Sequence, residues 1–209
     1  MKSINRDNNY FKDTTMTPRS LLASLLLLIS LPVSTALFAR TLGGITIPET
    51  VQVGDKQLQL NGAGVRSKFV FDIYVGALYL AQKTSSAQAI INDPGPKQVS
   101  MYFVYSEISR EKMINGWNEG FDNVLDAVQR EKLKTQITSF NQAFGKTFAG
   151  DVIDVVYSPE HGTQVIVNKE TRATIPGFDF HQAVMKVWLG DKPVDADLKQ
   201  GMLGKSTSE

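Results

Sequence analysis

The residue best placed for chemistry in this sequence is an arginine just past a glycine-rich segment. Arg66 ends the run NGAGVR (61–66) and sits at the start of the most apolar strand-like stretch, Val65–Leu80. Two readings are open. Arg66 is either an exposed charge on a strand edge or a planar fork of donors at a pocket mouth, suited to a carboxylate or a phenolate. Tyr105 is the second candidate. It closes a strand-like stretch, Val99–Tyr105, just before a helix start in SEISREK (106–112). A hydroxyl there can donate to a carbonyl or carboxylate, or a half-buried ring can simply leave its hydroxyl in water. Tyr74, Tyr79 and Tyr102 share the second reading, and Trp117 and Trp188 fall on apolar helical faces as core residues.

Other chemistries have little material. The chain of 209 residues has no cysteine, so thiolate metal sites, disulfides and a cysteine nucleophile are excluded. His161 sits in a turn beside Glu160 and His181 opens a helix; both read as surface or capping residues, and no metal-ligand spacing surrounds either. We therefore expect no metal and no cofactor. The triplet GKT (145–147) lacks the glycine a phosphate loop requires, because position 140 is Phe140, and it follows a helix instead of a strand. The GxSxG nucleophile motif is missing. With 22 Lys+Arg against 21 Asp+Glu, there is no excess charge to drive nucleic-acid binding.

The N-terminal part does not read as a domain. Residues 21–31, LLASLLLLISL, carry no charge; Lys2, Arg6, Lys12 and Arg19 precede them, and small residues follow. Basic, apolar, then small is the layout of a secretory signal. We assign residues 1–39 to this signal, with Met16 as an alternative start and cleavage after Ala36 or Ala39, and expect a periplasmic or secreted protein. The apolar run is short of the roughly 20 residues of a membrane span, so membrane contact is expected only through this segment, if it stays uncleaved. Residues 40–209 form the single domain, with net charge −1 once the leader is set aside.

The elements that must position Arg66 and Tyr105 follow from periodicity. GITIP (44–48) and the alternating KQLQLN (56–61) predict strands, NGAG (61–64) a turn, and the long apolar Val65–Leu80 a strand with a hairpin, bulge or bend, Gly76 being the candidate. Ala87–Asn92 predicts a short helix. Ile114, Trp117, Phe121, Val124, Leu125 and Val128 mark one helical face, and Leu133, Ile137, Phe140 and Phe144 another. Strands return at Val152–Tyr157, Thr163–Val167 and Thr171–Ile175, and helices close the chain at 178–189 and 195–203. Strands and helices are segregated, which argues α+β with a largely antiparallel sheet and a pocket between sheet and helices.

Four segments, in order, give a family resemblance: LNGAGVRSK (60–68), IYVGALYL (73–80), VYSEISREK (104–112), and TIPGFDF with VWLGDKPVDADLKQGMLG (174–180, 187–204). Together they resemble the chalcone isomerase superfamily, and within it the secreted bacterial chalcone isomerase-like proteins. The resemblance implies an open-faced β-sandwich, a large antiparallel sheet with a helical layer. Plant members close a chalcone to a flavanone without a cofactor. An arginine after a GAGxR segment binds the phenolate, and a tyrosine in a YSE segment assists at the carbonyl; these correspond to Arg66 and Tyr105. Related non-enzymatic members hold a fatty-acid carboxylate with the same pair. The enzymes' pocket threonine and asparagine correspond here to Tyr74 and Lys112, which become ligand-binding candidates and turn the expectation away from chalcone turnover.

Three functions remain as expectations. The first is a periplasmic protein binding a small amphipathic anion, such as a fatty acid, at Arg66, Tyr105, Tyr74 and Lys112. The second is an intramolecular lyase on a phenolic enone, with Arg66 and Tyr105 catalytic. The third is a structural or partner-binding protein whose pocket is filled by side chains.

Overall fold

The structure is a computed structural model that describes residues 39–205. The secretory signal assigned to residues 1–39 lies, save for Ala39, outside the described residues. Among the described residues no helix is long and apolar enough to cross a membrane.

The chain opens with a small hairpin, β1 (Ala39–Leu42) and β2 (Ile45–Pro48). Then come β3 (Thr50–Val53), β4 (Lys56–Lys68), β5 (Phe71–Leu80), the short helix α1 (Ala87–Asn92) and β6 (Lys97–Phe103). The helical middle follows: α2 (Arg110–Val124), α3 (Ala127–Lys132) and α4 (Lys134–Gln142), flanked by the two-residue strands β7 (Glu107–Ile108) and β8 (Thr147–Phe148). Strands β9 (Val152–Ser158), β10 (Gly162–Val167) and β11 (Glu170–Ile175) complete the sheet, and α5 (Phe178–Leu189) and α6 (Ala196–Met202) complete the chain. Seven strands form one antiparallel sheet in the order β11-β10-β9-β6-β5-β4-β3. The expected α+β class is thus the observed one.

Both faces of the sheet are covered, so its central strands do not alternate. In β5, Tyr74, Leu78 and Leu80 join the helices in one core, while Val75, Ala77 and Tyr79 join Leu58, Leu60 and Ile47 in a second core under the β1–β2 hairpin. A strand buried on both sides reads as a continuous apolar run, which is what IYVGALYL shows. On the helical side, Trp117 of α2 is the hub of the packing. Its ring centroid lies 4.7 Å from Phe140, 5.1 Å from Trp188, 5.7 Å from Phe144 and 6.1 Å from Phe121.

Several expectations need correction. NGAG is not a turn but the middle of β4, and Gly76 is not a bend. The hairpin in Val65–Leu80 turns instead at Phe69-Val70. The α2 face stops short of Val128, which is exposed, because Asp126 caps a new helix there with a reciprocal Gln129 contact.

His181 is neither a surface nor a capping residue. It is buried, stacked on Tyr157 at 4.3 Å, with Nδ1 3.3 Å from Thr163 Oγ1. Beside Tyr157 lies the buried Lys97, whose ammonium donates to the carbonyls of Asp93 and Gly95, both at 2.6 Å. Burial, helped by the Lys97 charge, holds His181 well below its usual range. The unfolded chain therefore takes up a proton below about pH 6.5 that the folded chain refuses, and stability falls as pH drops through that point. Burial likewise pushes Lys97 down to about 8 from 10.5. Between those values the unfolded chain holds the extra proton, so unfolding free energy rises with pH, by about 3 kcal/mol in all. Above about pH 10 the buried phenol of Tyr79, held neutral, reverses the trend. Denaturant titrations from pH 7 to 10 should show this rise in the wild type and its loss in Lys97→Met. A wild-type profile flat over that range would refute the burial cost assigned to Lys97.

Candidate functional site

Arg66, Tyr74 and Tyr105 are brought together by a bulge in the β4–β5 hairpin. Arg66 pairs with Tyr74 across the two strands, while the next residue, Ser67, pairs with Asp72, leaving Ile73 as the extra residue. A bulge of this kind re-aims the side chains beside it. On the other side of β5, the carbonyl of Ile73 accepts from the backbone N–H groups of Val104 (3.0 Å) and Tyr105 (3.2 Å), continuing the β5–β6 register. Ile73 thus marks the step in register that sets Arg66 against Tyr74 and, through its carbonyl, ties down Tyr105 just past the end of β6.

All three line one cavity of about 530 Å³ between the sheet and the helices, within the roughly 300–1,000 Å³ usual for small-molecule sites. Its walls are apolar: Met101 and Phe103 from β6, Met113 and Trp117 from α2, Val187 and Trp188 from α5. At its mouth stand Lys68, Phe69 and Phe71 from the hairpin and Glu107, Lys112 and Glu119 from the β7–α2 segment. Lys112, in the first turn of α2, is exposed, so it belongs to the mouth and not to the interior.

The polar end is built around Tyr74. Its ring is buried and lies 5.4 Å from Phe103, and its hydroxyl accepts a 3.0 Å hydrogen bond from Trp188 Nε1. The guanidinium carbon of Arg66 lies 5.6 Å from the same ring's centroid. Burial pushes the Tyr74 phenol up, while the Arg66 charge beside it pulls the other way, so the phenol is neutral and keeps its proton. No acceptor for that proton occurs among the described residues. Nor does any carboxylate there lie within ion-pair distance of Arg66. A half-buried cation and a free phenolic proton at one end of an apolar cavity together suit one anionic oxygen group.

Sequence reasoning missed Trp188 and Trp117 as site residues. Both are core, as expected, yet they also wall the cavity, and the Trp188 indole N–H donates to the Tyr74 oxygen. Replacing Tyr74 with phenylalanine leaves the buried indole N–H of Trp188 without its acceptor, a loss of about 1–3 kcal/mol. Chemical denaturation of Tyr74→Phe should show that loss; a variant as stable as the wild type would mean the hydrogen bond contributes nothing.

Among the described residues no cluster of His, Cys, Asp or Glu is arranged to hold a metal ion. An antiparallel sheet with helices on one face and a cavity between them, lined by an arginine and tyrosines, defines an open-faced α+β protein. The chain belongs to the chalcone isomerase-like family, which its sequence matches over residues 39–204. Among solved structures, it is similar to a fatty-acid binding protein of Arabidopsis thaliana. The TM-score is 0.64, with 15% sequence identity over 79% of this chain and 96% of that one. At that identity the likeness is one of fold. No curated protein shows significant similarity to the sequence.

Proposed function

We propose that this is a periplasmic protein that binds a fatty-acid-like carboxylate, with Arg66, Tyr74 and Tyr105 at the head group and the apolar walls around the chain. The observation that carries the reading is the Arg66 guanidinium, in no ion pair among the described residues, beside the unaccepted proton of Tyr74. Both line the same end of one apolar cavity, where an anion could meet them together. The carboxylate would take a charge-assisted contact from Arg66 and a hydrogen bond from the phenol. Tyr105, against Phe71 at 5.7 Å, stands between this end and the mouth and offers a further donor. Lys112 contributes positive charge at the entrance. The similarity in fold to a fatty-acid binding protein supports the class of ligand, and the leader-like residues 1–39 support export.

Native mass spectrometry of protein purified from the periplasm of an expressing bacterium tests both parts. The expected spectrum shows the chain carrying the mass of a long-chain carboxylic acid, with a sequence starting at Leu37 or Arg40. A protein that arrives empty and also ignores added palmitate would overturn the binding reading. A chain that retains its leader would overturn the processing.

A further inference from the structure

Among the described residues, five large hydrophobic side chains are exposed, and four of them lie at the sheet end that carries the cavity mouth. Three are consecutive at the tip of the β4–β5 hairpin: Phe69 (92% exposed), Val70 (87%) and Phe71 (54%). The fourth, Phe148 (46%), pairs with Glu107 across the β7–β8 ladder, and Glu107 also lines the mouth. Lys68 precedes the tip.

The tip sequence is also unfavourable on local grounds. Phe69 has φ +59°, a left-handed conformation that costs an L residue energy and that two-residue hairpins ordinarily fill with glycine or asparagine. Neither folding nor solubility favours a bare phenylalanine in a strained turn, so the side chains of the tip serve a contact outside the molecule. Three side chains on a convex turn cannot supply the roughly 800 Å² per partner of a stable protein interface. A bilayer needs no matching shape and takes aromatic and aliphatic tips flanked by lysines, whose stems lie along the apolar surface while the ammonium stays in water. The cations at this end suit a surface containing anionic lipid. Among the described residues Lys68 and Lys112 are in no ion pair, Lys146 is paired with Glu107 at 3.0 Å, Asp72 is held by the Ser67 hydroxyl at 2.7 Å, Asp195 and Asp151 accept from the backbone N–H groups of Ser67 and Phe148, and Glu119 completes the acids of the mouth.

We propose that the β4–β5 hairpin tip docks on a phospholipid bilayer, so that the cavity mouth meets the membrane directly. Phe69 and Phe71 line both the mouth and the outer tip. An apolar ligand would then pass between bilayer and cavity along these rings without crossing water. The direction of that traffic rests on the fatty-acid reading; the docking itself does not. It adds a second membrane contact to the one expected of the leader alone.

The test uses Val70→Asp, since Val70 is part of the tip but lines no cavity. Exported wild type and variant are sedimented with vesicles of phosphatidylethanolamine and phosphatidylglycerol, and each is titrated with a soluble fluorescent fatty acid. The expected result is vesicle binding by the wild type, at least about tenfold weaker in the variant, with equal affinity for the soluble probe. Because both chains carry the same N-terminus, a retained leader cannot produce that difference. A wild type that fails to sediment, or a variant that sediments equally, overturns the docking. So does a tip-dependent dimer without vesicle binding, which would assign the tip to a second copy of the chain. Tip-dependent vesicle binding without any probe binding would uphold the docking while sinking the fatty-acid reading.

Discussion

Arg66→Met should weaken binding of a long-chain carboxylate by about 30-fold to several thousand-fold, the equivalent of the 2–5 kcal/mol lost when one partner of a desolvated charge pair is removed. The size of the effect follows from the surroundings of Arg66. It is half-buried beside the fully buried Tyr74, at the end of a space walled by Trp188, Phe103 and Met101. A charge contact in such a dry place is screened far less than one at an open surface. Methionine keeps much of the length of the side chain and removes only the charge and the donors. Stability should barely change, because Arg66 forms no ion pair among the described residues. Arg66→Lys should fall between the two, since it retains the charge but loses the planar fork. Isothermal titration of each variant with the same acid, alongside thermal melts, separates these outcomes. Wild-type affinity in Arg66→Met would show that the carboxylate is held elsewhere, with Lys112 at the mouth the first alternative.

What the sequence could show about this site, and what it could not, has a physical explanation. Arg66 and Tyr105 were legible as candidates through residue type, position and family resemblance. The helix over 178–189 was legible in full, because Phe180, Val184, Val187 and Trp188 repeat at helical spacing and Gly177 and Gly190 flank it. The pairing of Arg66 with Tyr74 was not legible. It depends on a hairpin that turns at Phe69-Val70, without glycine, asparagine or proline to announce it, and on a bulge at Ile73. A turn signal names a register only when the turn residues are present. His181 was misjudged for a related reason. Its neighbours Thr163 and Tyr157 come from β10 and β9, and no local pattern reveals that three separate segments will close around one imidazole.

The same reasoning explains NGAG and leads to a second large effect. Local propensity reads two glycines in four residues as a turn, yet both lie in a continuous strand, because the helix α6 rests on them. A Cβ on Gly64 would lie 2.9 Å from the Cα of Leu198, and one on Gly62 would collide with the carbonyl oxygen of Gly201. Gly201 answers from the helix, where a Cβ would lie 2.5 Å from the carbonyl oxygen of Ala63. These obstacles are backbone atoms, which have no rotamer to escape into, so the cost of overpacking belongs at the high end. Gly64→Val is expected to lose about 3 kcal/mol or more of unfolding free energy. The damage should reach the site. Gly64 is two residues from Arg66, the backbone N–H of Ser67 donates to Asp195 at the start of α6, and Val194 just before it lines the cavity. The glycines thus seat the helix whose entry loop closes one side of the Arg66 pocket, which ties the two halves of GAGxR to one job. Urea denaturation measures the first effect and carboxylate affinity the second. A Gly64→Val protein within about 0.5 kcal/mol of wild type, the usual spread for substitutions away from such features, would mean that α6 can lift from β4 without consequence. The close seat would then not be what the glycines are for.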